Sequence, residues 1–255
     1  MTKIISIANH KGGVGKTTTI ASLGVALSMR GKKTLVVDLD SQKNLTTLFL
    51  EDDPQRTIFD AMIERRNLPI IQVRENLSLC PSSEDLINID KALTTLVNDD
   101  SLELRILSLL LEPVKKEFDY ILLDCPPSLG IMTRNGLVAS DEVIITLTAE
   151  ALPTKGLNSL MEAIDLAREG LNPKLSILGI LITRYNRRKI NRIVEEALRE
   201  NFGDLVFRCK IRENVDIAES PLFNKDIFSY SPDSIGATDY LSLADEIISL
   251  HNTTL

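Results

Sequence analysis

Histidine and cysteine are scarce in this 255-residue chain: two histidines, His10 and His251, and three cysteines, Cys80, Cys125 and Cys209. The cysteines are odd in number, far apart and without metal-ligand spacing. They exclude a disulfide scaffold or a cysteine zinc site and predict reduced thiols in a cytoplasmic protein. Cys125 has no histidine partner in view, which excludes a catalytic thiol. Positive charge is not in excess either. Lys and Arg total 29 against 36 Asp and Glu, for a net charge of −7, so any attraction to nucleic acid or anionic membrane must come from a local patch. No apolar run is long enough to cross a bilayer, and no low-complexity segment or internal repeat stands out. The chain enters an apolar strand within three residues of its start, with no secretory leader pattern. What remains, 44% hydrophobic and 25% charged, is the composition of a globular protein with a substantial core.

Against that background one stretch is distinctive: Lys3-Ile-Ile-Ser-Ile-Ala-Asn-His-Lys-Gly-Gly-Val-Gly-Lys-Thr-Thr-Thr19. An apolar strand runs into a glycine-rich loop, then a lysine and hydroxyls, then a helix. Backbone N–H groups of such a loop can wrap an anion, and the helix N-terminus adds its own N–H groups and positive dipole end. Gly12, Gly13, Val14, Gly15, Lys16, Thr17 and Thr18 form the cradle; Lys16 would reach the β/γ-phosphates of a triphosphate, and Thr17 would ligate Mg²⁺. The common G-x-x-x-x-G-K-[ST] pattern needs glycine at position 10, which is histidine here, and the loop carries a second lysine, Lys11.

The next apolar run, Lys33–Asp40, ends in two carboxylates. Strand, crossover helix and strand predict a parallel sheet, which binds ligands at the carboxyl ends of its strands. Asp38 and Asp40 then fall beside the glycine loop. Asp38 suits Mg²⁺ through water, and Asp40 suits orienting the attacking water. A third run, Tyr120–Leu123, ends at Asp124 and continues Cys-Pro-Pro-Ser-Leu-Gly130.

These segments resemble the ParA/MinD family of P-loop ATPases, partition ATPases of the ParA/Soj type above all. Lys11–Thr18 looks like the family's deviant Walker A loop, Asp38-Leu-Asp-Ser-Gln-Lys-Asn44 like its D-x-D-P-Q-x-N segment, and Asp124–Gly130 like its Walker B strand and switch loop. Ser41 and Lys43 depart from the usual proline and glycine. The likeness continues through Asn201–Asp204, Arg212–Val215, Ala218–Pro221 and Gly236–Ala244. It implies ATP and Mg²⁺ as cofactors, with Thr17, Asp38 and Asp124 toward the metal and Lys11, Lys16 and Asp40 in hydrolysis. It also implies an ATP-dependent face-to-face homodimer in which Lys11 reaches the partner's ATP, non-specific DNA binding, and stimulation by a ParB-like adaptor.

The remaining pattern predicts helices at 17–30, 44–49, 57–64, 82–97, 102–116, 153–171, 190–201, 213–219 and 236–250. Strands are expected at 70–73, 77–80, 141–147, 175–183 and 205–211. The expected fold is α/β: a single doubly wound domain over residues 1–255, with a mostly parallel sheet, helices on both faces and no N-terminal helix-turn-helix extension. Thr183–Arg192 holds five cations, Arg184, Arg187, Arg188, Lys189 and Arg192, and no acid, so it is the candidate DNA patch. Glu213 and Asp216 stand where the family carries arginines associated with DNA. The last helix has no lysine or arginine, which argues against membrane attachment. Positioning of a non-DNA cargo, a MinD-like role and a metabolic P-loop enzyme remain as alternatives.

Overall fold

Residues 1–96, 100–149 and 155–253 are described by a computed structural model of the chain. Seven strands form one sheet: β1 (Lys3–Ala8), β2 (Thr34–Asp38), β3 (Ile71–Arg74), β4 (Leu77–Cys80), β5 (Tyr120–Asp124), β6 (Glu142–Thr148) and β7 (Ser176–Thr183), in the order β3-β4-β2-β5-β1-β6-β7. All neighbours are parallel except β3 and β4, which form an antiparallel hairpin at one edge.

Helices cover both faces. Alternate residues of each central strand point to opposite cores, which is why the strands read as unbroken apolar runs. Ile5, Ile7, Val36, Leu122 and Ile144 face α1 (Lys16–Met29), α2 (Asn44–Phe49), α11 (Ile227–Tyr230) and α12 (Ile235–Thr253). Ile4, Ala8, Val37, Leu123 and Ile145 face the other layer: α3 (Ile58–Glu64), α4 (Ile89–Leu96), α6 (Ile106–Leu111), α7 (Ile131–Ala139), α8 (Lys155–Glu169) and α9 (Lys189–Phe202). Between these lie α5 (Asp100–Glu103) and α10 (Val215–Glu219). A side chain at Gly24 would sit 2.7 Å from Val36 Cγ1, so glycine lets α1 lie close on β2. No described helix is long and apolar enough to cross a membrane.

Two expectations are corrected. The helix expected at 102–116 is broken into α5, α6 and a 3₁₀ turn at Lys115–Glu117. Asn135 causes the first break: its Nδ2 donates to Glu103 O (2.9 Å) and its Oδ1 accepts from Leu107 N (3.1 Å), taking both ends of one helical hydrogen bond. Pro113 follows α6, where it cannot continue the helix. The strand expected at 205–211 is an irregular segment that touches β7 only in part, through Phe207 N to Ile180 O and Ile211 N to Ile182 O. Between them the N–H groups of Arg208 and Cys209 turn to the Glu246 carboxylate, both at 2.8 Å.

Helix α7 goes unforeseen, because Asn135-Gly136 has the form of a turn. Asparagine is there to bridge the break above. Glycine is there because a Cβ would come within 2.9 Å of Cys125 Sγ. The expected start of the 153–171 helix lies partly outside the described residues, and the helix is seen from Lys155.

Candidate active site

The glycine loop leaves β1 and enters α1 at the carboxyl ends of the strands. Gly13 (φ 72°) and Gly15 (φ 82°) take the left-handed conformation that side chains resist. Two further residues hold the loop. Asn9, buried, donates to Thr146 O (2.5 Å) and accepts from Lys11 N (2.9 Å), tying the loop to β6. Thr183 Oγ1 donates to Val14 O (3.0 Å), tying it to the end of β7. Lys16 is buried and reaches back to Lys11 O (3.2 Å). Burial pulls the Lys16 ammonium below its ordinary pKa, and Asp124, Cys125 and Asp40 pull it back up. The Lys11 side chain is exposed, with no hydrogen bond or ion pair among the described residues.

Beside the loop, Asp38 and Asp124 are register partners on β2 and β5, both almost wholly buried. Asp38 is satisfied: Oδ2 accepts from Thr46 N (2.9 Å) and Thr46 Oγ1 (2.7 Å), and Oδ1 from Asp40 N (3.1 Å). Burial nevertheless pushes its carboxyl up to about 6. Neither oxygen of Asp124 has a hydrogen-bond partner in good geometry. Burial and then Asp38 push Asp124 well above the ordinary carboxylate range, and the Thr17 hydroxyl and Lys16 offset this only in part. Two adjacent buried carboxylates, one orphaned, make a position that a dication stabilises. The described residues contain no cluster of three metal-ligating side chains, so an Mg²⁺ ion here would need phosphate oxygens, water and the Thr17 hydroxyl to complete its octahedron.

Asp40 is half-exposed. Its backbone is pinned on two sides, by Asp38 and by Ser82 Oγ, which donates to Asp40 O (2.8 Å). Gln42 N donates to its Oδ1 (3.0 Å). On the switch loop, Pro127 Cβ lies 3.9 Å from where a side chain at Gly12 would begin. Cys125 is fully buried with its thiol pushed far up, in keeping with an inert side chain.

The structure thus brings Lys11, Gly12, Gly13, Val14, Gly15, Lys16, Thr17, Thr18, Asp38, Asp40 and Asp124 to one end of the sheet. A cavity of about 410 Å³ adjoins the loop, walled by Gly13, Gly15, Thr18, Arg184, Pro221 and Tyr240. Tyr240 is locked to α1 by a hydrogen bond between its hydroxyl and that of Thr19 (3.3 Å). The cation patch is split. Arg184 (φ 51°) turns into this cavity, whereas Arg187, Arg188, Lys189 and Arg192 are exposed around the first turn of α9. None of those four forms an ion pair among the described residues.

Asn9, Ser82 and Thr183 escape a sequence reading because each acts through a hydrogen bond to distant backbone, and Thr46 because it acts through the Asp38 carboxylate eight positions earlier. Asn9 alone carries a local signal, a short amide directly before a glycine loop.

Residues 2–177 match a family model described as an AAA domain. The sporulation initiation inhibitor protein Soj of Bacillus subtilis is 40% identical over 253 residues, covering 97% of this chain and 98% of Soj. The chromosome partitioning protein ParA of Myxococcus xanthus is 39% identical over 254 residues, covering 96% and 88%. Among solved structures, a cobyrinic acid a,c-diamide synthase of Mycobacterium smegmatis with bound ADP and magnesium superposes with a TM-score of 0.85 at 30% identity, covering 100% of this chain and 97% of that one.

Proposed function

The chain belongs to the ParA/MinD family of P-loop ATPases, on its ParA/Soj branch, and from that premise we propose that ATP switches it into a face-to-face dimer that binds DNA without sequence preference and is reset when a ParB-type partner stimulates hydrolysis. It is an Mg²⁺-dependent partition ATPase. The likeness to a diamide synthase carries the fold and the nucleotide site; the relatives nearer 40% identity include proteins named for chromosome partitioning.

In hydrolysis the loop N–H groups and Lys16 hold the triphosphate and offset charge that builds on the transferring phosphoryl group. Thr17 would ligate Mg²⁺, with Asp38 and Asp124 behind it through water, and the bound ion would neutralise charge on the phosphates. Asp40, pinned by its backbone yet open to solvent, orients the attacking water. Lys11, exposed and without a side-chain partner among the described residues, is free to reach a facing copy's triphosphate.

The DNA half of the reading is carried by one observation. Arg188, Lys189 and Arg192 crowd the N-terminal end of α9, where the helix dipole disfavours cations. Unpaired cations placed against the dipole fit an external polyanion such as the phosphate backbone. On this reading the protein works in the cytoplasm, on the nucleoid. Glu213 tempers the patch, since it sits beside it and accepts from Asn186 Nδ2 (2.8 Å). That acid favours the second reading, an ATPase that positions a cargo other than DNA.

A DNA titration across a salt series, with ATP and then ADP, separates the two. Salt-sensitive binding confined to ATP, with a shallower salt slope in Arg187→Ala and Arg188→Ala, supports partition. No binding at low salt leaves cargo positioning.

A further inference from the structure

Residues 215–223 form one continuous helical stretch, α10 running directly into a 3₁₀ turn at Ser220–Phe223. Its outer side is unusually apolar for a surface: Val215 is 69% exposed, Leu222 80% and Phe223 61%. Val215, Glu219 and Leu222 follow one another at spacings of four and three residues, and Asp216, Glu219 and Phe223 at three and four, so both triplets share one helix face. The segment is rigidly mounted. Asn214 caps it (Ile217 N to Oδ1, 3.2 Å), Tyr230 OH donates to Glu219 (2.8 Å), the Tyr230 ring stacks on Phe223 at 5.4 Å, and Ile217 fills the space above Gly236. Ile235, next in the chain to Gly236, is itself half exposed.

Glu213, Asp216 and Glu219 make this apolar surface acidic. Arg212 does not compensate, because it is bound to Asp239 through its backbone N–H and its guanidinium; Lys225 stands just past the far end. Acids beside the apolar residues repel nucleic acid and anionic lipid. A second copy presenting the same face would set acids against acids, as an isologous contact must. A segment with apolar residues on one side and lysine or arginine on the other satisfies both features.

We propose that the outer face of residues 213–223, with Ile235, docks a basic amphipathic segment of a protein partner and that its occupation slows nucleotide exchange. The coupling follows from position. Val215, Ala218 and Pro221 of the same stretch wall the cavity beside the glycine loop, and Ser220 and Pro221 wall a second cavity against Thr17 and Thr18. Pinning the outside of this wall restrains the movement a nucleotide needs to leave. The docking half stands apart from the DNA reading; the exchange half rests on the nucleotide site.

The test uses full-length protein with Mg·ADP and a labelled Leu/Lys amphipathic helical peptide of about 18 residues, with a Leu/Glu peptide of the same pattern as control. Expected are salt-sensitive binding of the Leu/Lys peptide only and hydrogen-exchange protection confined to 213–223 and the start of α12. Affinity should fall about tenfold in Leu222→Ser/Phe223→Ser and several-fold in Asp216→Asn/Glu219→Gln. Leu222 lines neither cavity and Leu222→Ser alone leaves the Phe223–Tyr230 stack in place, so this single variant keeps its intrinsic ATPase rate and should still lose several-fold in affinity. Release of a fluorescent ADP should slow several-fold with the peptide present. Unchanged affinity in the variants, protection elsewhere, or equal binding of the Leu/Glu peptide overturns the docking site. Self-association that protects this face without peptide assigns it to a second copy and overturns it too. Protection at 213–223 with unchanged ADP release overturns the coupling.

Discussion

Asp38 and Asp124 lie side by side in register on β2 and β5, both sealed from solvent, and neither oxygen of Asp124 has a hydrogen-bond partner in good geometry among the described residues. Burial holds both carboxyls above their ordinary range, Asp38 at about 6. A carboxyl raised in the fold contributes stability at pH values below its unfolded pKa, and that contribution is lost as the pH rises through the folded pKa. For this pair the window opens near pH 4 and runs through pH 6 and beyond. Without nucleotide, Asp124→Asn should therefore gain on the wild type as the pH rises from 5 to 8. The gain should show as a Tm that rises relative to the wild type across that range. Mg·ADP should reverse the order, stabilising the wild type strongly and the variant little. Thermal melts across pH, with and without Mg·ADP, check this; an equal Mg·ADP shift in both proteins would remove the pair from the metal site.

Lys16→Ala should abolish nucleotide binding. The ammonium is buried and already costs desolvation, which only a bound polyanion and the neighbouring carboxylates repay. Calorimetry with Mg·ATP should give no detectable heat of binding for a variant whose melting temperature without nucleotide is unchanged or raised. Affinity within tenfold of wild type would sink the assignment of the loop.

Much of this site was legible because the chemistry sits in residues consecutive along the chain. A strand followed by glycines, lysine and threonine specifies its own local structure, and a strand that ends in aspartate announces which end of the sheet it joins. The sheet with its two helical layers was legible for the same reason: both faces are buried, so the strands read as apolar runs. What was not legible acts across the fold. Asn135-Gly136 has the form of a turn, yet Asn135 bridges Glu103 and Leu107 and Gly136 makes room for Cys125. The segment near 205–211 is apolar enough for a strand, but Glu246, on a helix some forty positions later, takes its N–H groups. The cation run at 184–192 reads as one patch, and only the left-handed turn at Arg184 sends that side chain to the cavity and the others to α9.

Asn9 is the clearest residue of this hidden kind. Its amide joins β6 to the backbone of Lys11, and the bond to β6 is buried. Asn9→Ala leaves Thr146 O without its donor and frees the loop, a loss of about 1–3 kcal/mol. ATP affinity should fall about tenfold with little change in the turnover of bound nucleotide, because Asn9 shapes the cradle without touching the phosphates. Asn9→Asp, which keeps the acceptor for Lys11 N but sets a carboxylate oxygen against Thr146 O, should bind ATP no better than Asn9→Ala. A fall in turnover at saturating ATP, with affinity intact, would instead give Asn9 a direct part in hydrolysis.

Lys11 and Asp40 make opposite demands on a dimer, and a mixing experiment separates them. Lys11 is exposed and unpartnered among the described residues, as expected of a side chain whose target is on a facing copy. Asp40 is anchored through its own backbone and through Gln42 to its own site. Lys11→Ala should bind Mg·ATP and fail to hydrolyse it. Asp40→Ala should also bind it, and should accumulate as an ATP-bound dimer visible by light scattering. In a mixed dimer, the Lys11→Ala subunit keeps its own Asp40 and receives Lys11 from the Asp40→Ala subunit, so one site of the two is complete. Equimolar mixing of the two inactive variants should then restore about a quarter of wild-type turnover, since half of the dimers are mixed and each has one working site. If Lys11 serves its own subunit, the mixture stays as inactive as its parts, because the subunit that keeps Asp40 never regains its lysine.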